Sequence, residues 1–160
     1  MTTKNELMQR LIRLYKEENN KTEVDMHAVA KFAMGKGWKM PVPKSPLDML
    51  AAQFSDAARV EIRRDTKTGK PYRANHAVVL RVGPHQLSLW YDIDEAPRPI
   101  MHKSLMSRRD QMVGDGLQLS LDADHWNSVN PAAAPITIPL DFTQDIEWRK
   151  AAPDEDEKAA

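Results

Sequence analysis

Leu105, Met112, Leu119 and Trp126 recur at intervals of seven residues, inside a stretch bounded by APRP at positions 96–99 and by Pro131. A seven-residue apolar interval is close to two turns of an α-helix, and a stretch free of proline imposes no backbone break. The spacing predicts one long helix from about Ile100 to Asn127, with Met101 at its start and Met106, Val113 and Leu117 widening the apolar stripe. At 1.5 Å per residue it would be about 40 Å long, more than a small core covers. The excess apolar surface points to a homodimer or a protein partner, with Leu105, Met112, Leu119 and Trp126 as the interface. Gly114 and Gly116 oppose continuity, because a glycine costs about 1 kcal/mol relative to alanine inside a helix. A bend there would let the second half fold back over the strands that precede it.

Three shorter helices are expected upstream. Thr3 with Glu6 forms a capping-box pattern, and Leu7, Met8, Leu11, Leu14 and Tyr15 follow at helical spacing over about Lys4 to Glu18. Thr22 with Asp25 repeats the pattern before Met26, Val29, Ala30 and Ala33, and Gly35 and Gly37 end that helix. The connection GWKMPVPK cannot be helical through its prolines, and its Trp38 is best read as a plug at a core edge. Ser45, Pro46 and Asp48 supply an N-cap, a first-turn proline and an acid near the helix start. Leu47, Leu50, Ala51, Phe54, Ala58 and Ile62 then line one face of a third helix.

That helix runs into RRDTKTGKPYRANH, where Arg63, Arg64, Lys67, Lys70 and Arg73 are opposed by Asp65 alone and Gly69 and Pro71 supply turn chemistry. Five cations on a turn are either a solvated surface or a wing that lies along a phosphate backbone, positioning the protein without reading sequence. Residues 77–82 and 86–93 follow as two strands joined at Gly83, Pro84 and His85. An isolated hairpin is marginal in water, so the long helix or a later strand at Ile136 to Phe142 should cover one face. Pro139 confines that later strand to an edge. Thr143 caps a final turn containing Ile146 and Trp148, and the closing PDEDEKAA reads as a disordered acidic tail.

The order helix, helix, helix, hairpin over about residues 4 to 93 resembles winged-helix DNA-binding domains. The resemblance implies that the basic hairpin serves as the wing on DNA. The third helix mixes acids with its bases, and the same helices can instead form a small bundle that docks a protein. The fold expected is therefore α+β: a winged-helix-like three-helix and hairpin region over 1–98, a long helix and short edge strand over 99–150, and an acidic tail over 151–160.

Charge narrows the function further. The chain is neutral as a whole, yet residues 1–75 carry 15 Lys/Arg against 9 Asp/Glu while the rest carry 8 against 14. A basic front and an acidic back point to separate surfaces, or to halves that neutralise each other. Cysteine is absent, which removes disulfides, thiolate metal sites and cysteine nucleophiles. No apolar run approaches the roughly 20 residues of a membrane helix, and a cytoplasmic location is expected.

No nucleophile elbow or phosphate loop is present, and the histidines show no ligand interval. Asp92, Asp94 and Glu95, and separately Asp122, Asp124 and His125, are the acidic groups that could hold a divalent ion. An acidic strand end is more often a solvated turn, and acids late in a helix are more often surface residues, so no metal or cofactor is expected. Arg108 and Arg109 on the long helix add a second candidate phosphate contact, and Tyr72 and Trp90 are candidate stacking surfaces. The expected function is a small non-enzymatic nucleic-acid-binding accessory or regulatory protein, with DNA as the expected partner. A protein–protein adaptor and a metal-dependent nuclease are the alternatives.

Overall fold

The computed structural model describes residues 2–153. Within them the α+β class holds: five helices and two antiparallel hairpins, in the order α1 (Lys4–Asn19), α2 (Met26–Gly35), α3 (Pro46–Val60), β1 (Ile62–Arg64), β2 (Pro71–Arg73), β3 (Asn75–Val82), β4 (His85–Asp92), α4 (Arg98–Val129) and α5 (Thr143–Ala151). The chain divides into two compact units, Met1–Gln53 and Phe54–Ala160. The expected acidic tail falls mostly on residues 154–160, outside the described residues. No helix among the described residues is long and apolar enough to cross a membrane.

In the first unit the capping box forms as the sequence predicts: Thr3 Oγ1 accepts from the Glu6 amide at 3.2 Å, and Glu6 Oε2 accepts from the Thr3 amide at 2.7 Å. At α2 the cap is Asp25 rather than Thr22, with its Oδ1 accepting from the His27 amide at 2.9 Å. Tyr15 and Phe32 join the two helices edge to face at 5.5 Å between centroids, beside the buried Val29 and Ala33. The start of α3 is also as expected, with Ser45 Oγ accepting from the Asp48 amide. No residue of α3 is buried, and Leu47, Leu50 and Phe54 stay exposed. The winged-helix detail therefore lacks support, because such a domain buries the apolar face of its third helix in a three-helix core.

In the second unit two hairpins replace one. The basic turn closes its own short sheet, pairing Ile62 with Arg73 and Arg64 with Pro71. The second sheet pairs Asn75 with Asp92 through to Val82 with His85. Ala74, fully buried, stitches the sheets together: its amide donates to the Glu61 carbonyl at 3.1 Å and its carbonyl accepts from Ile93 at 2.8 Å. On β3 the even positions His76 and Val78 are buried while Ala77 and Val79 are exposed, so one face of the hairpin is covered. The cover is α4, which packs on β3 and buries Ser104.

The helix α4 is continuous through Gly114 and Gly116. Its residues Leu105, Met112, Leu119 and Trp126 remain 40–55% exposed. The expected edge strand at Ile136 to Phe142 is not formed. Instead, Asn127 imitates a strand partner with its side-chain amide: Oδ1 accepts from the Ile136 amide at 2.8 Å and Nδ2 donates to the Ile136 carbonyl at 2.9 Å. Pro135 and Pro139 lack the amides that a longer ladder would need. The expected final turn is the nine-residue helix α5, entered where Asp141 accepts from Thr143.

Candidate nucleic-acid interface

The turn between β1 and β2 is built by Asp65. Its Oδ1 accepts from the amides of Lys67 and Thr68 at 2.8 and 2.9 Å, and its carbonyl accepts from Gly69 at 2.8 Å. Gly69 has φ of +68°, a left-handed conformation in which a side chain is strained. These bonds, from Thr68 first and Lys67 second, hold the Asp65 carboxyl below its ordinary range. The acid that opposes the basic turn in the sequence is thus directed inward onto backbone amides. Lys67 and Lys70 are exposed and make no ion pair among the described residues. Arg64 donates to the Gly69 carbonyl at 3.2 Å, and α5 ends beside this turn, where Ala151 to Pro153 line a groove with Thr68 and Lys70.

Arg63 points elsewhere. Its guanidinium meets Asp92 at 2.7 Å, Glu61 at 3.0 Å and Asp94 at 3.1 Å. These carboxylates raise its pKa further above an already basic value, Asp92 contributing most and Glu61 next. In return the Asp92 carboxyl is lowered, first by the Asp94 amide that it accepts from and then by Arg63. Tyr72 donates its hydroxyl to Asp94 Oδ2 at 2.9 Å, which raises the phenol. Arg63 is consumed in joining the two hairpins, whereas a phosphate contact needs an uncommitted cation. The same bonds engage Asp92 and Asp94, and among the described residues no group of three or more His, Asp or Glu side chains is placed to hold a metal.

Arg73 and Arg108, 35 positions apart, line one cleft of about 250 Å³ together with Arg59 from the end of α3. Among the described residues no carboxylate lines it. Arg59 is paired at 2.6 Å with Asp56, an exposed pair of the kind that contributes little, and its guanidinium lies 5.8 Å from the Trp90 ring. Trp90 stands directly opposite Ala77 in the ladder, and both residues line the cleft. The floor is His76 and Ser104, which are 5% and 4% exposed. His76 Nε2 lies 3.2 Å from the Arg73 carbonyl and Nδ1 lies 3.3 Å from Ser104 Oγ. A carbonyl only accepts, so Nε2 donates to Arg73, and in the neutral ring Nδ1 accepts from the Ser104 hydroxyl.

Of the seven cations read from the sequence as phosphate contacts, Arg73 and Arg108 are brought together. Arg64, Lys67 and Lys70 remain on the turn, and Arg63 is committed internally. Arg109 faces away from this group, 3.5 Å from Asp110 and beside an apolar groove lined by Leu140 and Phe142. The floor residues His76 and Ser104 carry no functional signal in the sequence: their contact spans 28 positions and follows from β3 packing on α4. No family model matches the chain, and no curated protein or solved structure matches it.

Proposed function

We propose that this chain is a non-enzymatic nucleic-acid-binding accessory or regulatory protein that lays the β1–β2 turn along a phosphate backbone. The observation that carries the reading is the division of labour among cations. Arg63 is consumed by three carboxylates, while Lys67 and Lys70 stand on a hydrogen-bonded turn whose own acid is spent on backbone amides. A fixed display of exposed lysines contacts phosphate without reading bases, so binding should be modest, insensitive to sequence and strongly dependent on salt.

Duplex DNA titrated over a range of salt concentrations tests this. Replacing Lys67 and Lys70 together by Ala lowers affinity, and the log–log salt slope falls by about 0.9 for each phosphate that is no longer neutralised, or about 1.8 for the pair. An unchanged slope would overturn the reading. A second reading, an adaptor acting through α4, rests on the heptad face that the fold leaves exposed: Leu105, Met112, Leu119 and Trp126.

A further inference from the structure

The cleft at the edge of β3, lined by α4 on one side and by Trp90 and the end of α3 on the other, differs from the turn in chemistry. It is concave, it combines cations with an aromatic wall, and its floor consists of two buried polar side chains that satisfy each other. Resting on the nucleic-acid reading above, we infer that this cleft is a pocket for a nucleotide carrying a terminal phosphate, with the phosphate on Arg73 and Arg108 and the base against Trp90.

Charge favours a terminal phosphate. Among the described residues, neither Arg73 nor Arg108 has an ion-pair partner and no carboxylate lines the cleft. Two unpaired guanidiniums match the charge of a phosphomonoester, about −1.5 to −2 at neutral pH, better than the single charge of a diester in mid-strand. Guanidinium groups also present forked donors that suit phosphate oxygens. Ser107 and Gln111, one turn apart on α4, add neutral hydrogen-bonding groups to the same wall.

Size and the indole favour a nucleotide. At about 250 Å³ the cleft falls just below the range of about 300–1,000 Å³ usual for small-molecule sites, which suits part of one nucleotide unit rather than a large cofactor. Trp90 is half-buried, with the Arg59 guanidinium 5.8 Å from its ring centroid, which leaves the rest of the indole to the cleft. Stacking on an aromatic ring accepts any base, in keeping with a protein that does not read sequence. A cleft walled by a helix and the rim of a sheet cannot admit a base that is still paired, so the nucleotide is unpaired: a free nucleoside monophosphate or the 5′ end of a single strand.

Calorimetric titration separates these sources and tests the site. The probes are a short single-stranded DNA with a 5′-phosphate, the same strand with a 5′-hydroxyl, and deoxyadenosine monophosphate. The phosphorylated strand is expected to bind about tenfold more tightly than its hydroxyl counterpart. Arg73→Gln and Arg108→Gln should each abolish that preference, and Trp90→Ala should weaken the phosphorylated strand by about tenfold. The indole N–H resonance of Trp90, assigned by its loss in Trp90→Phe, should shift on binding, which also shows that the arginine variants remain folded. Mononucleotide binding equal to that of the strand supports the pocket and assigns it to free nucleotides; weaker mononucleotide binding supports it as a strand-end site.

The Lys67→Ala, Lys70→Ala pair should weaken both strands while leaving their ratio unchanged, so failure of the turn and failure of the pocket give different results. Equal affinity for the two strands without mononucleotide binding, or a preference that survives both arginine substitutions, would overturn the inference.

Discussion

Arg63 and Asp92 face each other across the junction of the two hairpins, with Nη1 and Oδ2 2.7 Å apart although 29 positions separate them in the chain. The pair, together with Asp94 and the Tyr72 hydroxyl, holds the basic turn in a fixed relation to the β3–β4 sheet. The turn is therefore presented as part of a clamped substructure.

The clamp should be sensitive to acid. The Asp92 carboxyl is held below its ordinary value of 3.8, so the folded state binds that proton less readily than the unfolded chain. Its stabilising effect is complete above that value and is lost as pH falls through the lowered one. Urea midpoints measured downward from neutral pH should decline less steeply in Asp92→Asn than in the parent protein, with Asp92→Asn already less stable at neutral pH. Parallel curves would show that the pair does not couple to folding.

Ala74 leaves no room for a larger side chain, since it is fully buried and both its backbone groups are engaged between the hairpins. Ala74→Leu should destabilise the second unit by about 1–3 kcal/mol through overpacking. Chemical denaturation followed by near-ultraviolet circular dichroism reads this directly. A variant as stable as the parent would show that the junction is loosely packed.

The exposed heptad face of α4 is suited to an identical helix, because one repeat on both partners is self-complementary. Sedimentation of the parent protein should show concentration-dependent dimerisation. Leu105→Asp with Met112→Asp should shift it to a folded monomer. A parent protein that is monomeric at every concentration would remove self-association as the use of this face.

The helix starts at Thr3 and Ser45 and the length of α4 were legible in the sequence, because caps, prolines and apolar periodicity act within a few residues of themselves. The surplus of cations on the turn was legible for the same reason, and so was a turn at Gly69, whereas Asp65, read only as an opposing charge, proves to build it and Pro71 to lie in β2. Which cations stay available was not. Arg63 and Arg64 are adjacent and chemically identical, yet Arg63 meets the acids at the end of β4 while Arg64 donates to the Gly69 carbonyl, a division set by the register of two ladders that close far along the chain. Likewise Arg59, Arg73 and Arg108 share no local pattern and meet where the end of α3, the end of β2 and one turn of α4 converge. The strand expected at Ile136 failed for a related reason: its local alternation was real, but its hydrogen bonds went to the Asn127 side chain. Local chemistry sets what each segment can become, whereas the partner of a side chain is set by packing between segments, which no short window of sequence contains.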